Sequence, residues 1–301
     1  MTRRFAGVAA FLTGVILFGA FPGSALAWGP GAHMVTGNWI LQNLSALPVA
    51  VAASLAEYPS LFLQGCLSAD IFIGKGSVAK KGHSHNWESG FALLRKAGST
   101  RSRAYAHGYL AHLSADTVAH NFFVPSLLPI APGNGRMAHV YLEMQADRLV
   151  PWDSQDALGV FQKRDSKKAL LLLRKTLRGN PVKFRLQSGV YQGSIAIGGS
   201  KLWRSSLHRV DKLLPEHVCP SLVNSMLQVA TRAAVDVLRY GEASAVLGFD
   251  PIGEKALSAA VTARTGKGFF PSGGPVALEP VLPDVLLTLP AVCAADVKVA
   301  S

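Results

Sequence analysis

Residues 103–121 read RAYAHGYLAHLSADTVAHN, and the run His112-x-x-x-Asp116-x-x-x-His120 inside them decides the fold class and the chemistry together. The stretch predicts a helix, on which side chains four apart lie one turn above each other on the same face. His112 and Asp116 can therefore share one metal ion. His120 sits two turns from His112, about 12 Å along the axis at 1.5 Å per residue, whereas a zinc–ligand bond spans only about 2 Å. It has to serve a different ion. His139 and Glu143 repeat the four-residue step in a second helix over about 137–149. With His120 they make three ligands and leave a coordination position open, as catalysis requires. Asp70 and one of His83 or His85 come from loops flanking a short helix and can complete the ion held by His112 and Asp116.

Seven of the nine histidines fall between His33 and His139, and this crowding of imidazoles with carboxylates points to a site with more than one ion. His107, His208 and His217 stand outside the pattern and read as ordinary histidines.

Around this region apolar residues recur three and four apart and alternating runs are few, so the chain reads as all-α. Helices are predicted over 36–44, 48–57, 86–96, 103–121, 137–149, 167–178, 203–214 and 221–240. The glycine-punctuated stretch 189–199 is left as a loop or a short extended segment. The organisation expected is a single multi-helix domain over 28–250 built around a multinuclear zinc site, followed by an extension over 251–301. In that extension Pro271, Pro275, Pro280, Pro283 and Pro290 forbid a continuous spanning helix, while its leucines and valines suit packing along the body.

The first residues address the chain. Arg3 and Arg4 precede an apolar run from Phe5 to Phe21, a Pro-Gly break and the small-residue site Ala25-Leu26-Ala27, the pattern of a cleaved secretory signal over 1–27 and of a periplasmic or extracellular protein. Cleavage leaves 274 of the 301 residues and, with Arg3 and Arg4 gone, lowers the formal charge from +12 to +10. Such a basic balance favours anionic partners, a phospholipid surface or nucleic acid, without choosing between them. Cys66, Cys219 and Cys293 are an odd count outside the cytoplasm, so at most one disulfide forms within the chain. Cleavage before Trp28 also frees an amino group that, with the Trp28 carbonyl, makes a five-membered chelate which His33 can join as a third ion site.

These residues resemble the zinc-dependent phospholipase C family, whose relatives include the catalytic part of glycosylphosphatidylinositol-specific phospholipase D and, more distantly, the single-strand-specific zinc nucleases. The resemblance implies an all-helical protein with two or three zinc ions. It assigns Trp28 and His33 to one ion, Asp70, His85, His112 and the bridging Asp116 to another, and His120, His139 and Glu143 to the last. Asn86-Trp87 after His85 favours that residue over His83 for the single family slot. The resemblance also implies that Asp70 orients the attacking water or accepts its proton, and that the substrate is a phospholipid or another phosphodiester. Nucleic acid is the lesser expectation, and no protein partner is implied. A zinc-stabilised envelope module without turnover uses the same residues and stands as the non-enzymatic alternative.

Two further features bear on substrate. The segment 163–185 is rich in Lys and Arg and can lie on an anionic bilayer, or be a solvated helix whose leucines face the core. Tyr105, Tyr109, Phe122 and Tyr141 surround the motifs and can stack bases, line an acyl pocket or simply pack the core.

Overall fold

The computed structural model describes residues 28–72, 83–211, 218–263 and 280–290. Among them every regular element is helical. In chain order these are α1 (Pro30–Gln42), α2 (Val49–Glu57), α3 (Pro59–Ser68), α4 (Trp87–Arg95) and α5 (Thr100–Val118). A π-helical turn (Ala119–Phe123) leads into α6 (Val124–Leu127), then α7 (Gly135–Leu149), α8 (Ser154–Gln162), α9 (Ser166–Thr176), α10 (Pro181–Gly198) and α11 (Lys201–Asp211). α12 (Pro220–Tyr240), α13 (Glu254–Ala263) and the short α14 (Asp284–Leu287) are the last of the described helices. The expected leader lies outside the described residues, as does Cys293. Among the described residues no helix is long and apolar enough to cross a membrane.

Local chemistry sets the helix starts. Proline opens α1, α3, α10 and α12, where its missing N–H costs nothing. Asn86, Ser99, Asn134, Asp153 and Asn180 cap α4, α5, α7, α8 and α10 through their side-chain oxygens.

α5 is the axis of the molecule. From Ala104 to Val118 every residue but His107 is buried, so this helix has no solvent face. α3 and α12 pack against it most extensively, with α1, α2 and α4 closing around them. Ser114 and Thr117 satisfy their hydroxyls by donating to the carbonyls of Leu110 and Leu113 one turn back. Where α3 crosses α5, Gly65 meets the backbone at Tyr105 and Gly108 meets the backbone at Phe62, leaving no room for a Cβ on either. This close approach brings the Cys66 carbonyl of α3 to within 2.8 Å of His112 Nδ1 on α5.

One apolar core gathers around α5, α7 and α12 and includes Trp28, Phe123 and Leu227. A second lies between α3, α5 and α8–α10 and includes Leu61, Tyr105, Leu173 and Tyr191. The site lies where the two meet.

The structure differs from the sequence expectation over 189–199, most of which belongs to the continuous helix α10. Phe184, Ser188, Tyr191 and Ile195 recur three and four apart and are buried, so packing holds the helix despite its glycines. Gly189 and Gly193 fall on the open side. Among the described residues beyond 250, α13 packs on the π-helical turn and on α6.

Candidate metal centre

Four side chains from three parts of the chain meet under α5. Asp70 comes from a one-turn 3-10 helix after α3, His85 from the loop before α4, and His112 and Asp116 from consecutive turns of α5. All four are buried, and one ligand atom from each lies within 4.8 Å of the others. His85 Nε2 is 3.0 Å from Asp70 Oδ1 and 3.4 Å from Asp116 Oδ2. His112 Nε2 is 3.6 Å from Asp70 Oδ1, 3.0 Å from Asp116 Oδ2 and 3.2 Å from His85 Nε2. Four ligands about 2.0–2.1 Å from a tetrahedral zinc stand roughly 3.3 Å from one another, so these spacings are those of a zinc shell.

The second oxygen of Asp116 faces the other way. Asp116 Oδ1 is 3.2 Å from Nε2 of His33, whose ring stacks on His112 with centroids 3.9 Å apart. Trp28 is fully buried beside this pair; its indole Nε1 donates to the Ala115 carbonyl at 3.0 Å and its ring stacks on Phe123. The carboxylate of Asp116 is thus divided between the four-residue cluster and His33.

The other cluster is built from His120, His139 and Glu143, again buried and with ligand atoms within 4.8 Å of one another. His139 Nε2 and Glu143 Oε1, one turn apart on α7, are 2.8 Å apart. His120 lies in the π-helical turn that follows α5 and meets the His139 ring edge-on at 5.2 Å. π-turns re-aim the side chains they carry and recur at functional sites.

Backbone carbonyls orient the imidazoles. His112 Nδ1 donates to Cys66 O, and His120 Nδ1 donates to Pro251 O at 2.6 Å. In a neutral ring each bond leaves the Nε2 lone pair aimed into its cluster, the arrangement that supports metal-ligating histidines. Asp250 shapes the turn that delivers the Pro251 carbonyl by accepting from the Ile252 and Glu254 N–H groups. Gly253 follows at φ 63° and lies so close to His120 that a Cβ would collide with its carbonyl.

His83 and His85, of which the resemblance favours His85, are separated here. Tyr109 donates to the Ser84 carbonyl at 2.6 Å, and Asn86 caps α4, so the loop turns His85 inward. His83 Nδ1 accepts the His85 backbone N–H, and its ring joins neither cluster. His107 is likewise apart, its pKa lowered to about 4 by burial and by Arg103.

Sequence reasoning missed Asp147, one turn beyond Glu143 on α7. Its carboxylate accepts the Gly31 and Ala32 N–H groups at 2.9 Å each, closing the start of the helix that bears His33. Burial, against the pull of those two bonds and of Arg204, raises its pKa to about 7.

The electrostatics favour bound cations. Among the described residues no Lys or Arg pairs with Asp70, Asp116 or Glu143. Burial, then Asp70, Asp116 and Asp147, hold the Glu143 carboxyl well above the usual range. Burial alone would lower His112, but Asp116 and Asp70 outweigh it and raise it to about 9. Burial and the neighbouring His112 lower His33. Asp116 is drawn below the usual carboxylate range by His112 and His33 in spite of its burial. Both of its oxygens, Asp70 Oδ2, Glu143 Oε1 and His33 Nε2 are buried without hydrogen-bond geometry to any neighbour. Orphaned acceptors in such numbers are costly unless positive charge fills the space between them. The nitrogen and carboxylate donor sets fit zinc.

Residues 32–177 match the profile of the family described as zinc dependent phospholipase C. This part of the chain belongs to that family. No curated protein and no solved structure matches the chain. The zinc-dependent phospholipase C region runs from α1 through α9, and so holds every residue of both clusters, while the carbonyl that orients His120 lies outside it.

Proposed function

We propose that the protein is an exported zinc-dependent phosphodiesterase that cleaves phospholipids in the manner of a phospholipase C, releasing a phosphorylated head group. The observation that carries this reading is the divided carboxylate of Asp116, with Oδ2 in a four-donor shell at zinc-ligand spacings and Oδ1 against His33. A carboxylate so placed holds two cations side by side, and a cluster of cations is the device for a substrate that gathers negative charge during displacement at phosphorus.

Asp70, His85, His112 and Asp116 would hold one ion, and His120, His139 and Glu143 another with a position left for substrate. His33 and Asp116 Oδ1 would hold a third if the chain is cleaved before Trp28, whose buried indole keeps that end of the polypeptide beside Asp116. Bound zinc supplies charge neutralisation at the phosphate oxygens and makes water acidic enough to attack near neutral pH. Asp70 has its Oδ2 in the site without a hydrogen-bond partner, which suits it to orient that water and accept its proton. Glu143 borders a cleft whose lining joins Val140, Met144, Trp203 and Leu207 to Asp147, Arg148 and Arg204, and its apolar part suits an acyl chain. Tyr105 and Tyr109, candidates for stacking bases, are fully buried in the core, which weighs against nucleic acid.

The test is to offer the chain beginning at Trp28 a fluorescent phosphatidylcholine and single-stranded DNA, each with and without chelator. Chelator-sensitive release of the phosphorylated head group is expected. Cleavage of DNA alone would make the protein a nuclease, and no cleavage of either by zinc-loaded protein would make it an inert zinc module.

A further inference from the structure

Between Asp165 and Asp211 the chain carries no acidic residue and ten Lys or Arg, a run that covers α9, α10 and α11. In α9 three of the four leucines turn inward: Leu173 is buried, and Leu170 and Leu172 pack on the second core, while Leu171 is exposed. α10 is different. Its buried residues Phe184, Ser188, Tyr191 and Ile195 share one side. On the opposite side Val182, Leu186 and Ile197 are 80%, 68% and 48% exposed, with the open positions Gly189 and Gly193 between them. At 3.6 residues per turn and 1.5 Å per residue these five positions form a stripe about 80° wide and about 22 Å long. Leu202 at the start of α11, 73% exposed, extends the apolar surface beyond the end of α10. Lys183 and Arg185 are exposed on either flank of the stripe, and Lys201 is exposed beside Leu202.

The other faces of the same two helices line the cleft that reaches Glu143, through Tyr191, Ser194, Gly198, Trp203 and Arg204. Ile197 and Leu202 are therefore chain neighbours of cleft residues, and whatever covers the stripe lies beside the cleft.

We propose that the outer face of α10, with the exposed start of α11, docks on a phospholipid bilayer containing anionic lipid. Large aliphatic side chains set along a helix with cations flanking one end, Lys183 and Arg185, and another beside Leu202, Lys201, suit a helix lying in a bilayer interface. Nucleic acid would use the cations and leave the leucines exposed, whereas a bilayer uses both. The absence of acidic residues from 166 to 210 lessens the repulsion an anionic surface would meet. The inference rests on the phospholipid reading of the zinc site and adds the surface by which the cleft is held at its substrate.

The experiment is sedimentation of the zinc-loaded protein with vesicles of phosphatidylcholine and phosphatidylglycerol, compared with phosphatidylcholine alone, alongside hydrolysis of a short-chain phosphatidylcholine kept below its micelle concentration. Two double variants, L186Q with L202Q and K183E with R185E, change exposed positions only. The wild type is expected to partition preferentially to the anionic vesicles. Each double variant is expected to partition at least tenfold more weakly while hydrolysing the monomeric substrate at the wild-type rate. Absence of partitioning by the wild type, or variants that bind as it does, would overturn the docking surface. So would a dimer in gel filtration that the leucine variant splits while vesicle binding is unchanged, because the face would then be a contact between copies. A wild type that binds vesicles through these residues yet hydrolyses no phospholipid leaves the surface standing and removes the lipase reading.

Discussion

The two candidate metal clusters offer the same ligand types but are held in different ways. Asp70, His85, His112 and Asp116 lie within the packed body, four donors around a closed space, with the α3–α5 crossing at Gly65 and Gly108 supplying the carbonyl behind His112. His120, His139 and Glu143 are only three donors, one of them on a π-helical turn and oriented by a carbonyl from beyond residue 250. Closed four-ligand shells are the mark of structural zinc and open three-ligand shells of catalytic zinc. On the proposed reading the two clusters divide the work: the first would set the field in which Asp70 orients the water, and the second, with its open position, would receive the phosphate.

The harshest way to break that comparison is Asp116→Asn, because Asp116 faces both His33 and the four-donor shell. Zinc measured by elemental analysis should fall by more than one ion per chain, activity should fall on the order of a thousandfold, and the melting temperature should drop. Loss of one ion or none would remove the bridge. Glu143→Gln sharpens the contrast, since it strips the open cluster alone. One zinc should be lost and activity should fall about a hundredfold, while calorimetry should find most of the thermal stability intact. Next comes Gly253→Ala, which places a Cβ against the His120 carbonyl at a backbone conformation that L residues avoid. A destabilisation of about 1–3 kcal/mol in denaturant titration is expected, with zinc lost first from the His120 cluster.

Asp147 ties the helix of the open cluster to the start of the helix bearing His33, and Asp147→Asn should weaken zinc at His33 about tenfold by competition with a chelating dye. The same variant carries a pH signature. A buried carboxyl raised to about 7 stays protonated in the folded chain while the unfolded chain ionises near 3.8, so the wild type loses stability as pH rises between those values. In chelator, Asp147→Asn should therefore gain on the wild type from pH 4 to 7 and keep pace above it. The smallest effect is expected at His83, where alanine should change neither zinc content nor activity beyond about twofold.

The pairing of candidate ligands was legible in the sequence because a four-residue step on a helix is a local property: His112 with Asp116 and His139 with Glu143 need no tertiary information to share a face. The choice between His83 and His85 was not legible from periodicity, since a loop has none. It is made by Tyr109 reaching the Ser84 carbonyl and by the Asn86 cap. The orienting groups were hidden for a similar reason. The Cys66 and Pro251 carbonyls carry no residue-type signature and lie 46 and 131 positions from the rings they hold. Asp147 was hidden in plain view, four residues past Glu143, because an acid facing backbone N–H groups and an acid facing solvent look alike in sequence. The α10 helix escaped because its glycines read as punctuation, whereas Tyr191 and Ile195 hold it by packing.

The most direct test is diffraction from crystals of the protein grown with zinc, recorded on either side of the zinc absorption edge. Anomalous peaks should stand between Asp70, His85, His112 and Asp116 and between His120, His139 and Glu143, each about 2 Å from its donors. Peaks confined to surface residues, with both clusters dark, would contradict the account.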